Sequence, residues 1–240
     1  MKGCYYILAV ALIFASCKKK SVPADSVDVG KDYYPITIGK YVTYEVDSTV
    51  YDEFTFIPKT TKYRIKEKIE EEFTDSDGKP ALKLMRYIKK YDSTKTYDQI
   101  PWTVKDAWQI NTSNTSIQVV EENVRFTKLI FAIKENAQWD GNANNTIGEW
   151  DYTYSYMDHT ENINGVNLEK VCFVKQKDYR TLISYQYYIE KYARGVGLVY
   201  REIRDLKLGD KGTVEGPLIE NNSKCIGTIY KLTIIGYGNE

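Results

Sequence analysis

A single histidine in 240 residues leaves little of the usual catalytic machinery. A zinc site built on several histidines is arithmetically excluded, and a nucleophile that needs an imidazole base has only His159 to turn to. That residue sits in Asp158-His159-Thr160, after an aromatic run, and reads as a surface-loop histidine. Charge of one sign is also missing. The 33 Lys plus Arg are matched by 33 Asp plus Glu, so no global field grips a polyanion and nucleic acid is not an expected partner. Six prolines and 15 glycines are too few for a low-complexity or collagen-like chain. No Gly-x-Ser-x-Gly elbow, phosphate-binding glycine loop or Cys-x-x-Cys pair occurs, and scattered carboxylates such as Glu70, Glu71 and Glu72 define no cleft. Neither catalysis nor a cofactor is expected. What the chain has in quantity is tyrosine, 22 against 7 phenylalanines, within a hydrophobic fraction of 42% that is high enough to fold.

The one long apolar run lies at the N-terminus. Lys2 is followed by the run Tyr5 to Ala15, then Ser16, Cys17 and the lysines Lys18, Lys19 and Lys20. Such a run is well short of the roughly 20 residues that cross a bilayer as a helix, and reads as an export signal. The tract Ile13-Phe14-Ala15-Ser16-Cys17 resembles the lipobox of bacterial lipoproteins. The resemblance implies cleavage before Cys17, which becomes the acylated first residue, while Cys4 is lost with the signal. The expected organisation is a signal peptide over 1–16, an acylated cysteine and flexible tether over 17–33, and one β domain over 34–240. The membrane is then a partner through a covalent, palmitate-type lipid, since two or more acyl chains hold a protein stably.

From Tyr41 onward the hydrophobic period is two, the mark of half-buried strands. Tyr63, Ile65, Ile69 and Phe73 alternate with Arg64, Lys66, Lys68 and Glu72, and Trp102, Val104, Trp108 and Ile110 alternate with Thr103, Lys105, Gln109 and Asn111. About ten such stretches run from 41 to 237, joined by turn signals such as Asp75-Ser76-Asp77-Gly78, so neighbouring strands are antiparallel. The segment 121–133 is the best candidate for a short helical turn or kinked crossover. In 181–193 and 226–237 both faces are apolar, which requires cover on both sides. These features predict an all-β fold, either one strongly curved antiparallel sheet forming an open half-barrel or a two-sheet sandwich.

Three places carry site-like chemistry. Trp150, Tyr152, Tyr154 and Tyr156 place four aromatics on one strand face, suited to core packing, to a lipid cavity or to a sugar-stacking platform. Asp140, Asn142, Asn144 and Asp151 put oxygen donors at loop positions 1, 3, 5 and 12, as calcium loops do, but the sharp-turn glycine and the bidentate glutamate are replaced. Cys172 and Cys225 are the thiols of the mature body; an oxidising compartment permits a disulfide, while Val171-Cys172-Phe173-Val174 equally suits a buried small hydrophobe.

With the lipobox and strands in view, the segments 34–46, 138–142 and 192–202 resemble uncharacterised lipoproteins of the Bacteroidota. The last segment is similar, by looser analogy, to strands of half-barrel lipoproteins related to the Lol-type carriers. The resemblance implies a non-catalytic envelope lipoprotein at the outer membrane, its lysine run pointing to the periplasmic face rather than the cell surface. The tyrosine excess and the strands apolar on both faces lead to the expectation that it binds an acyl or other apolar ligand or serves as a structural component; the alternative is a protein-interaction or glycan-contacting module of an envelope complex.

Overall fold

Alternation along the chain becomes strands. The computed structural model describes residues 28–208 and 224–240, so the signal, Cys17 and the lysine run lie outside the described residues. Among the described residues twelve strands occur: β1 (Lys40–Tyr51), β2 (Pro58–Thr74), β3 (Pro80–Lys90), β4 (Thr103–Thr112), β5 (Ser116–Glu121), β6 (Val124–Ile130), β7 (Gln138–Asp140), β8 (Asp151–Ile163), β9 (Val166–Arg180), β10 (Ser184–Ala193), β11 (Gly197–Leu208) and β12 (Cys225–Asn239). They form one antiparallel sheet in the order β6-β5-β4-β3-β2-β1-β12-β11-β10-β9-β8-β7. Each strand lies beside its sequence neighbour, β1 pairs with β12, and only the β6–β7 junction lacks a ladder. The expected curved sheet is therefore present, and the sandwich is not.

Two strands exceed the expected ten. β6 occupies the segment read as a helical turn. Glu122 and Asn123 both adopt left-handed φ, 48° and 66°, the geometry of a two-residue primed hairpin turn, and this folds Val124–Ile130 back onto β5. β7 has only three residues, too few for a periodicity to show.

The sheet curls until its two edges meet, and one backbone bond with several side-chain bonds replaces the missing ladder. Thr127 N–H donates to Gly141 O at 2.9 Å, and Trp139 Nε1 donates to Thr127 O at 2.8 Å. The Tyr154 hydroxyl both accepts from Ile130 N–H and donates to Ile130 O, each at 2.9 Å. Asn145 Nδ2 donates to Arg125 O at 2.9 Å.

Barrel diameter grows with strand number, and eight strands already leave an interior that side chains only just fill. Twelve strands demand bulkier filling, and tyrosine supplies part of it: a tyrosine spans much of the lumen and can end on a polar partner. Tyr44, Tyr152, Tyr154 and Tyr192 are all fully buried. Tyr44 donates to Leu198 O at 2.9 Å and Tyr192 to Glu190 at 2.6 Å.

One end of the barrel is stoppered. Residues 28–33, expected as tether, instead pack against this end, because Tyr33 finds a fully buried site and its hydroxyl donates to Asp158 at 2.9 Å. Arg194 binds Asp28, Asp32 and Asp158 at 2.9, 2.7 and 2.8 Å, fastening the segment from outside. Left-handed backbone at Asp158 (φ 56°) and Lys170 (φ 55°) kinks β8 and β9 together. Their hairpin tip thereby reaches β12, where Asn164 Nδ2 meets Ile234 O at 3.4 Å, and Ile163 and Leu168 join the core.

The disulfide is not formed. Cys172 aligns across β10 with Leu198 on β11, while Cys225 aligns with Leu208 on the same strand. Ten residues of strand place the two roughly 33 Å apart along the sheet, against a Cα limit of about 7 Å. Cys172 lies in the main core and Cys225 in a small second cluster with Leu206, Tyr51, Tyr185 and Ile229, which covers the second apolar face of the late strands. Burial pushes the Cys172 thiol up, so it is inert when folded. Protein lacking residues 1–17, unfolded without reductant, should therefore titrate two thiols; zero would restore the bridge.

Candidate functional site

The other end of the barrel is open. A cavity of roughly 350 Å³ lies there, within the range of small-molecule sites. Its upper wall is formed by Phe126 of β6, Ile147 and Trp150 of the β7–β8 loop, Tyr188 of β10 and Ile203 of β11. The wall is aromatic and aliphatic, and the floor is ionic.

Four strands each send one charge to that floor: Glu121 from β5, Lys128 from β6, Glu190 from β10 and Arg201 from β11. Arg201 Nη2 lies 2.7 Å from Glu121 and 2.6 Å from Glu190; Lys128 Nζ lies 2.8 and 3.0 Å from the same two carboxylates. Gln176 donates to Glu190 at 2.7 Å. Burial alone would raise the Glu121 carboxyl, but the Arg201 guanidinium and Lys128 ammonium beside it hold it down to about 2. Glu190 is lowered by the same two cations against burial. Burial opposes the charge on Arg201, yet the two carboxylates keep it firmly protonated. Across the lumen, Arg86 binds Glu67 at 2.9 Å and Asp106 at 3.1 Å and stacks over Trp108 at 3.6 Å. Arg201 Nε and Trp108 Nε1 in this lumen are buried donors with no hydrogen-bond partner among the described residues. Unused buried donors are costly and favour an acceptor arriving from outside.

The aromatic stripe divides. Trp150 lines the cavity; Tyr152 and Tyr154 are core, packed on Trp139 with centroids at 5.7 and 4.5 Å. Tyr156 leaves the face, because the β8–β9 register slips between Tyr154 and Tyr156 and turns it to the outer surface. There it stacks on Phe173 at 5.2 Å and on His159 at 4.4 Å, and its hydroxyl bonds Glu161. His159 is exposed on strand β8 rather than in a loop.

The calcium-loop residues do not converge on a metal. Asp140 Oδ1 accepts from Asn142 N–H at 2.9 Å and Trp150 N–H at 3.1 Å. Asn142 donates to Gly148 O at 2.8 Å and accepts from Asn145, while Asn144 donates to Thr127 Oγ1 at 3.2 Å. Asp151 is an exposed strand residue opposite Asp140. The loop is a clasp for the seam. Gly141 within it has no room for a side chain, since a Cβ there would lie 2.2 Å from the Tyr152 ring.

Sequence reasoning missed the ionic floor. A signal existed in the late strands, where Glu190 interrupts the inward set Tyr188 and Tyr192, and Arg201 interrupts Val199 and Ile203. A charge on an otherwise apolar register is informative only once the strand is known to face a closed lumen.

Fold and site together define a twelve-stranded single-sheet barrel, stoppered at one end and open at the other. No protein family and no curated protein matches the chain. Among solved structures it is similar to one described as "a putative lipoprotein" from Parabacteroides distasonis ATCC 8503, at 10% identity, covering 86% of this chain and 98% of that one, with a TM-score of 0.39. It is also similar to a "putative exported protein with YmcC-like fold" from Bacteroides fragilis NCTC 9343, at 10% identity, covering 85% and 98%, with a TM-score of 0.34.

Proposed function

We propose that this chain is a non-catalytic, lipid-anchored protein of the outer membrane, periplasmic face, whose open barrel mouth binds a small amphipathic ligand. The observation that carries the binding role is Arg201, a buried guanidinium on the cavity floor with one N–H unused, beneath a wall of Phe126, Trp150, Tyr188 and Ile203. An unbranched acyl chain suits the site poorly. The lumen below the floor is filled by Tyr44, Tyr192 and Leu232, which leaves no tunnel for a long apolar tail. The reading is thus narrowed from an apolar ligand to one with an apolar side and a polar end.

The anchor rests on the lipobox and Cys17. Palmitate labelling of the cells should mark the protein, and Cys17→Ala should abolish both the label and pelleting with envelopes; an unlabelled wild type would end the proposal. For the binding role, native mass spectrometry of envelope-extracted protein should show a bound small molecule that is absent when Ile203→Trp fills the cavity. Equal spectra for the two proteins would refute a ligand in the mouth.

A further inference from the structure

We propose that the mouth cavity takes a neutral saccharide unit; this rests on the cavity being the binding site, as proposed above. Charge argues first. Glu121, Glu190 and Asp205 face Lys128 and Arg201 around the cavity, three carboxylates against two cations, with Lys177 Nζ beside it over the Trp150 ring at 3.9 Å. The four on the floor are already matched with one another at 2.6 to 3.0 Å. An anionic ligand would meet three carboxylates, and a cationic one would meet Arg201 and Lys128. Either would break a matched pair in a region of low dielectric. A neutral molecule disturbs none.

Shape and hydrogen bonding narrow the class. Trp150 and Tyr188 meet nearly edge to face, with centroids 5.0 Å apart and planes at 69°, so they make a corner rather than a flat wall. A pyranose offers apolar C–H faces to such rings and a polar rim of hydroxyls at right angles to them. Hydroxyls both donate and accept, which the site requires. Arg201 Nε is a donor without a partner. At the rim, Asp205 is an acceptor already receiving the Tyr188 hydroxyl at 2.9 Å and the Gln186 amide at 3.4 Å. Hydroxyls of one such ligand can meet the acceptor at the rim, Asp205, and the donor on the floor, Arg201, four residues apart on β11, only from opposite ends of the molecule. A fatty acid supplies a carboxylate, which only accepts, and no donor for Asp205.

The test uses the full chain in a detergent without sugar groups. Glucose, galactose and N-acetylglucosamine are the neutral probes, glucuronate is the charged match to glucose, and decanoate is the acyl probe. Tryptophan fluorescence and saturation-transfer NMR should show saturable binding of at least one neutral sugar. Glucuronate should bind about tenfold or more weakly than glucose where glucose binds, and Ile203→Trp should weaken the best sugar by about tenfold or more at unchanged Tm. A preference for glucuronate, sugar binding that survives Ile203→Trp, or no saturable neutral sugar would overturn the proposal. If decanoate binds and Ile203→Trp abolishes it, the saccharide is wrong and the cavity stands. If no probe binds and native spectra show no ligand, the cavity reading fails as well.

Discussion

Arg201→Ala is expected to remove about 3–5 kcal/mol of folding stability, because it strands Glu121 and Glu190 in the lumen with one remaining cation, Lys128. Urea unfolding followed by circular dichroism reads the loss directly. Neutralising a carboxylate at the same time should return part of it: Arg201→Met with Glu190→Gln should cost less than the two single changes summed, since the residues share one network. Strict additivity would show that the four side chains do not act together. The same network sets an acid response. Glu121 is held at about 2, below its ordinary 4.5. A carboxylate lowered in the folded state contributes stability that is fully present above the unfolded value and is lost as pH falls through the folded one. Stability should therefore fall between about pH 4.5 and 2, and Glu121→Gln should flatten that slope.

The second large effect concerns the seam. Tyr154→Phe keeps the ring but leaves both the N–H and the C=O of Ile130 without their partner. Each unsatisfied backbone group costs about 1–3 kcal/mol when buried, so a loss of about 2–4 kcal/mol is expected. The readout that separates seam opening from general weakening is amide hydrogen exchange. Protection should fall first at Thr127 and in β6, where the ladder has one neighbour, while β1 and β12 at the far side keep theirs. Uniform loss around the barrel would mean that the edges are not held by Tyr154.

Much of this architecture could be read from alternation alone. The β2 and β4 sequences announce an inner and an outer face, and Trp150, Tyr152 and Tyr154 share one side as their spacing requires. Tyr156 could not be placed in advance. Its departure depends on a register slip against β9, a property of two strands rather than of one. The Lys31–Tyr33 turn was hidden for a similar reason: nothing local marks Lys31-Asp32-Tyr33 as a stopper, and the site that receives Tyr33 is built from residues more than a hundred positions away. Likewise Asn142, Asn144 and Asn145 look like metal donors in isolation and become backbone fasteners only when β6 lies beside them.

The stopper also sets a direction. Residues 28–33 meet the barrel at its closed base, where Arg194 fastens Asp28 and Asp32, eleven and fifteen residues after Cys17. The mouth cavity lies at the opposite end of the barrel from that fastening. Phe54 and Leu182, 82% and 78% exposed, lie in the β1–β2 and β9–β10 connections at that mouth end, so the apolar tips of the barrel point away from its stoppered base.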